Sequence, residues 1–125
     1  MAQDFFHKDI VELAKNNDNY LKVIATGKFS QIVLMSILSK GEIGLETHHD
    51  VDQILVFVEG TGTAYLNEEQ YSVGPNDLVF VPAGTKHNFI NTGAEDLKLY
   101  TIYAPAEHKP GIIRKTKEEA DRMPE

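Results

Sequence analysis

Asn76-Asp77-Leu78-Val79-Phe80-Val81-Pro82-Ala83-Gly84-Thr85-Lys86-His87, running on to Asn91, is the segment on which the fold turns. Leu78 to Val81 is a short apolar run, rich in β-branched and aromatic residues and bounded by turn residues, which reads as a strand. Pro82 presets its own φ and Gly84 is free to reverse the chain, so the next strand opens at a defined place, His87. The same texture extends outward from Ser30 to Pro105, with strands expected over 31–38, 43–48, 53–59, 62–66, 70–73, 78–81, 87–91 and 97–104. Between them stand turn signals: Lys40-Gly41, Gly60, Asn67-Glu68, Gly74-Pro75-Asn76-Asp77 and Thr92-Gly93. Gly60 and Gly62 suit a tight hairpin. Short, evenly spaced strands with no helix-length pattern among them predict an antiparallel all-β sandwich or barrel.

The flanks differ. Ile10, Val11, Leu13 and Ala14 follow Asp9 at helical spacing, so residues 1–29 are expected to form a helical arm with Asp9 as N-cap. Residues 106–125 are polar, and Thr116-Lys-Glu-Glu119 has the form of a capping box opening a short surface helix. The chain of 125 residues is expected to be one domain, with its barrel core near 30–105.

Composition narrows the chemistry. Twelve Lys and Arg against 19 Asp and Glu leave a net charge of −7, which argues against a nucleic-acid partner or an anionic membrane surface. With no cysteine, disulfides, zinc–thiolate sites, iron–sulfur clusters and a cysteine nucleophile are excluded, and any metal must rest on His, carboxylate or amide oxygen. The N-terminus shows no basic start followed by an apolar run, and no stretch approaches the roughly 20 apolar residues of a membrane span, so a cytoplasmic protein is expected.

A second segment, Gly41 to Gly60, contains Glu46-Thr47-His48-His49-Asp50-Val51-Asp52-Gln53. Residues two apart on a strand share a face, so Glu46 and His48 point one way and Thr47 and His49 the other. If the next strand pairs with this one, Gln53 meets the Glu46 and His48 face, and His87 can join it from a later strand.

These two segments resemble the paired motifs of the cupin superfamily. The later motif of that family is a Gly, then five residues, Pro-x-Gly, two residues, His, three residues and Asn. Pro82, Gly84, His87 and Asn91 match it, and Asn76 stands at the leading Gly, followed by Asp77. Asn tolerates the left-handed backbone of such a turn. The earlier motif is His-x-His, three or four residues, Glu, six residues and Gly. Counting back from Gly60 puts Gln53 at the Glu position. A four-residue gap puts Glu46 and His48 at the two His positions; a three-residue gap puts Thr47 and His49 there. Glu46, His48, Gln53 and His87 carry one negative charge together, as the usual three-His, one-Glu set does, which favours the first register over a neutral His49, Gln53 and His87 set. Ile43 and Leu45 on the Thr47 and His49 face favour the other, unless a bulge intervenes.

The resemblance implies a double-stranded β-helix, or jelly roll, holding one divalent transition metal (manganese, iron, cobalt, nickel or zinc) on Glu46, His48, Gln53 and His87. It also implies a small-molecule substrate or ligand and a homodimer. The nearest look-alikes are small bacterial cupins of the mannose-6-phosphate isomerase-like kind. A metal-dependent enzyme is therefore expected, either an isomerase of a sugar or sugar phosphate or a dioxygenase or lyase on a small acid or carbonyl compound. A phosphate needs a basic clamp, and the motif region offers only Lys40 and Lys86. The alternative is a ligand-binding module without turnover, which the exchange of Glu for Gln53 favours. No catalytic residue is assigned. Met35, Phe57, Phe80, Phe89, Tyr100 and Tyr103 are candidate pocket residues, His7 and His108 are read as surface histidines, Asp50 and Asp52 as loop-shaping acids with Asp52 able to support a ligand, and Asp77 as a turn residue.

Overall fold

The computed structural model describes residues 5–125. Among the described residues, ten strands form two antiparallel sheets. The larger contains six, in the order β10-β1-β2-β9-β4-β7, and the smaller four, in the order β3-β8-β5-β6. The elements are α1 (Ile10–Lys15), β1 (Leu21–Thr26), β2 (Gln31–Ile37), β3 (Glu46–Thr47), β4 (Asp52–Glu59), β5 (Gly62–Leu66), β6 (Glu69–Val73), β7 (Leu78–Val81), β8 (Lys86–Ile90), β9 (Leu97–Ala104), β10 (Ile113–Arg114) and α2 (Lys117–Arg122). The architecture is the expected all-β jelly roll. No helix among the described residues is long and apolar enough to cross a membrane.

Alternation along the strands builds the core. In β4, Gln53, Leu55 and Phe57 turn inward while Ile54, Val56 and Val58 face outward. In β9, Leu97, Leu99, Thr101 and Tyr103 form the matching inner row. Phe57 and Phe89 pack ring to ring at 5.8 Å between the sheets. Deleting a buried ring of this kind costs about 3–5 kcal/mol. Gln53 and Tyr103 are direct cross-strand neighbours, so the inner row changes from apolar to polar at one end of the barrel.

Four expectations need correction. The arm expected over residues 1–29, of which 1–4 lie outside the described residues, is not simply helical. Asp9 does cap α1, accepting from the Glu12 amide at 3.1 Å, but residues 21–26 form β1 inside the larger sheet. Burial alternates along this strand, with Leu21, Val23 and Ala25 inward. Gly60 and Gly62 do not close a hairpin: β4 belongs to one sheet and β5 to the other, and the glycines carry the chain across. Gly60 has φ +86° and lies against the Asp96 carbonyl, so a side chain there would collide with backbone. The strand expected over 43–48 shrinks to Glu46–Thr47, with one isolated bridge at Glu42. The polar tail contributes β10 and, through Ala120, packs against the core.

The turn around Asn76 behaves as its sequence predicts. Asn76 adopts φ +74°, and Asp77 accepts from the Gly74 amide at 2.8 Å. Asn91, at the end of the motif, is structural: its amide donates to the carbonyls of Ile37 and Glu95, both at 2.8 Å.

Candidate metal centre

His87 leaves the Pro-x-Gly turn on β8 and pairs directly across the ladder with Glu46 of β3. Cross-strand partners share a face, so this register aims both side chains into the barrel. Gly44, at φ +110°, breaks the alternation just before β3. Asn88 secures the break, accepting from the Gly44 amide and donating to Glu42, each at 2.9 Å. The phase of the strand is thereby reset. Ile43 packs on the core, Leu45 turns out to solvent, and Glu46 and His48 point inward. The conflict between the two readings of this segment is removed by the break at Gly44.

Glu46, His48 and His87 each offer one donor atom, and these atoms lie within 4.8 Å of one another. His49 is exposed and outside this group. Nε2 of His48 lies 3.7 Å from the Glu46 carboxylate. The imidazoles of His48 and His87 sit 5.3 Å apart. Nδ1 of His87 is 2.8 Å from the Thr85 carbonyl; a carbonyl can only accept, so Nδ1 carries the proton and Nε2 is left with a free lone pair. Nδ1 of His48 faces the Glu107 carboxylate at 3.2 Å, which favours the same tautomer. Gln53, 2% exposed, donates through Nε2 to Thr101 Oγ1 at 3.1 Å and Tyr103 Oη at 3.3 Å. Both contacts fix its amide orientation and leave Oε1 as the unused atom.

Nε2 of His48, Nε2 of His87 and Oε1 of Gln53 are all buried with no hydrogen-bond partner. Leaving a buried polar atom unpaired costs about 1–3 kcal/mol, so the two imidazole nitrogens gathered with the Glu46 carboxylate call for a ligand. They are lone-pair donors beside a carboxylate, which suits a divalent transition metal. The Glu46 side chain is 42% exposed. Partial burial nevertheless lifts its carboxyl above the ordinary carboxylate range; His87 opposes that rise and Glu107 adds to it. Burial pushes the Tyr103 phenol well above its ordinary range, with Glu46 and Glu107 adding to the effect, so the phenol stays protonated.

A cavity of about 140 Å³ adjoins the cluster, lined by Glu46, His48, Tyr103 and Met35 from the barrel and by His108, Arg114, Asp121 and Glu125 from the C-terminal segment. Of the other candidate pocket residues, Phe57 and Phe89 belong to the core, Phe80 is exposed and Tyr100 is half-buried on the outer row. His7 is a surface residue as expected. His108 is not: its ring packs edge-on against Tyr103 at 5.2 Å, inside the cavity wall. Asp52 ties the Pro-x-Gly turn to β4, accepting from the Ala83 amide at 2.9 Å. Lys40 and Lys86 do not line the cavity. Glu107 and Arg114 escaped the sequence reading, because neither sits in a motif and both reach the site only through long-range pairing.

A family model described as a cupin domain matches residues 33–103. The chain belongs to the cupin family. Its fold is similar to the crystal structure of BH2720 from Bacillus halodurans, with a TM-score of 0.93 and 37% identity over 94% of each chain. This cupin is also 40% identical over 121 residues to the uncharacterized protein YrkC of Bacillus subtilis. That match covers 92% of the chain but 65% of the relative, so the cupin spans just under two thirds of that protein's length. A shorter match, 49% identical over 53 residues, is to the acireductone dioxygenase of Parvibaculum lavamentivorans, covering 39% of this cupin and 28% of that enzyme.

Proposed function

We propose that this cupin holds one divalent transition metal on Glu46, His48, Gln53 and His87 and acts there on a small oxygenated substrate. The observation that carries the reading is the pair of buried, unpaired imidazole atoms, His48 Nε2 and His87 Nε2, gathered with the Glu46 carboxylate; Gln53 Oε1, also buried and unpaired, belongs to the cross-strand partner of Tyr103, whose ring packs on His48. When bound, such a metal supplies Lewis acidity to a substrate oxygen and can support oxygen chemistry if it is iron. The protein does the rest. Thr85 and Glu107 hold the two imidazoles in a metal-ready tautomer. Tyr103 holds the Gln53 amide in place. The C-terminal segment roofs the cavity and limits water.

A dioxygenase or lyase acting on a small acid or carbonyl compound is the version best supported. The cavity of about 140 Å³ is well below the roughly 300 Å³ at which pockets for drug-sized ligands begin. Lys40 and Lys86 stand away from it, which weighs against a sugar phosphate. The local match to an acireductone dioxygenase points the same way. A binding module without turnover is the second reading, favoured by Gln53, which puts a neutral amide where the family motif has a carboxylate. The proposal includes a cytoplasmic homodimer, and exposed Leu78 and Phe80 on edge strand β7 support the dimer.

Elemental analysis of protein purified without a nickel column tests the site. One equivalent of a transition metal in the wild type, lost in His87→Ala, is expected. Equal, sub-stoichiometric metal in both would remove the site. Oxygen uptake monitored across a panel of small oxo-acids and sugar phosphates then separates dioxygenase from isomerase, and silence with tight ligand binding favours the module.

A further inference from the structure

Arg114 is 8% exposed, yet among the described residues no carboxylate lies within 4.0 Å of its guanidinium. Its Nη1 donates to the Ile113 carbonyl at 3.1 Å and its Nη2 to the Pro124 carbonyl at 3.2 Å. Its Nε is buried with no acceptor at all. A buried cation whose direct hydrogen bonds go only to neutral carbonyls is expensive, and the usual remedy is an anion in contact; the Arg114 charge reaches Glu125 only from beyond contact distance. Arg114 lines the same cavity as Glu46 and His48.

A second unpaired atom lines that cavity. His108 presents Nδ1 to the Glu125 carboxylate at 2.6 Å, which leaves Nε2 buried and without a partner. The acids that share the cavity wall are already engaged. Glu125 also accepts from the Lys109 amide at 2.9 Å, and Asp121 pairs with Lys117 at 2.8 Å. Glu46 belongs to the metal cluster. Arg114 is thus the one cation in the wall whose charge has no partner in contact.

We infer that Arg114 forms an anion-binding end to the cavity that takes the carboxylate of a small acid, with the Nε2 lone pair of His108 in the same wall left to accept from a ligand hydroxyl, while the acid's other oxygens reach toward Glu46, His48 and His87. The inference rests on the proposed metal centre and names the substrate class for it: short 2-hydroxy or 2-oxo acids. Arg114 and His108 lie outside residues 33–103, the part matched by the family model. The specificity assigned to them therefore belongs to this chain's own C-terminal segment.

The test compares each acid with its uncharged amide. Glycolate, lactate and pyruvate, and the corresponding amides, are titrated calorimetrically into the full chain loaded with zinc, with metal content measured on the same samples. Each acid should bind roughly tenfold or more tighter than its amide, as expected for a charge-assisted contact. Arg114→Gln should erase that preference while leaving amide binding and zinc content unchanged, and Arg114→Lys should restore part of it. Equal binding of acid and amide by the zinc-loaded wild type, or binding of neither, overturns the inference. So does inorganic phosphate binding in preference to every acid. A wild type that takes up no zinc overturns the metal centre instead, a distinct outcome read from the metal content.

Discussion

The Glu107 carboxylate lies 3.2 Å from Nδ1 of His48, although the two residues come from opposite ends of the barrel sequence. Gln31 sets up this contact. Buried at 1% exposure, it accepts from the amides of Glu107 and His108 at 3.1 and 3.0 Å and donates to the His108 carbonyl at 2.7 Å. One side chain on β2 thus clamps the loop that brings Glu107 to the imidazole.

Glu107→Ala is expected to weaken metal binding by about 10- to 100-fold, the usual effect of losing a carboxylate behind a ligating histidine. Glu107→Gln should recover part of the loss, since an amide oxygen still accepts from Nδ1–H. Competition with a chelator of known affinity measures both, and nitrogen NMR of the His48 ring reports the tautomer directly. Unchanged affinity in Glu107→Ala would show the contact to be incidental.

The register of the first segment gives a second prediction. Glu46→Ala should lose the metal, whereas His49→Ala should keep it, because His49 is exposed and outside the cluster. The pH dependence follows from Glu46. Its carboxyl is held above the ordinary range by partial burial, against the opposing pull of His87. Protons therefore compete with the metal to a higher pH than for an ordinary carboxylate, and affinity should rise with pH across and just above that range. Glu46→Gln should flatten that part of the profile. Retention of metal by Glu46→Ala with loss in His49→Ala would reverse the assignment.

Glu125 predicts how the roof of the cavity responds to acid. Burial raises its carboxyl, but the contact with His108, the Lys109 amide and the Arg114 charge together outweigh burial and hold it below the ordinary carboxylate range. A depressed folded value stabilises the docked tail above the unfolded value, and the contribution disappears as pH falls through the folded one. Protection from hydrogen exchange across 117–125, taken relative to the intrinsic rate at each pH, should fall in acid, below the ordinary carboxylate range. Glu125→Gln should show reduced protection at neutral pH and little further change in protection on acidification.

Asn76 stands where the family motif has glycine, at φ +74°. Asn76→Gly should fold with stability within a few tenths of a kcal/mol of the wild type. Asn76→Val should cost about 1–2 kcal/mol, because a β-branched side chain is strained in the left-handed region. Urea denaturation of the two variants measures the difference, and equal stabilities would mean that the turn relaxes.

Much of the barrel is readable from local pattern. Strands at 62–66, 78–81 and 97–104 are found where alternation and turn residues put them. His87 is legible because a Pro-x-Gly turn fixes where its strand begins. Gln53 is legible because it heads the inward row of β4. β1 was hidden because its alternation is short and sits behind a helix signal. The phase of Glu46 and His48 could not be read by counting alone, since a single positive-φ glycine, Gly44, inverts the parity that strand counting assumes.

The one-dimensional pattern therefore specified an antiparallel jelly roll and the place of His87 behind its turn, because periodicity and turn chemistry are local properties of the chain, and it left the choice between Glu46 with His48 and Thr47 with His49 open. Folding alone decided what surrounds them. Glu107 beside His48, and Arg114, His108 and α2 in the cavity wall, are brought together by antiparallel pairing between strands distant in sequence, Leu21 with Arg114 and Gln31 with Tyr103 among them. No local period encodes which distant side chain will meet which. That choice is made when the two sheets close over a common core and every buried polar group must find a partner or a ligand.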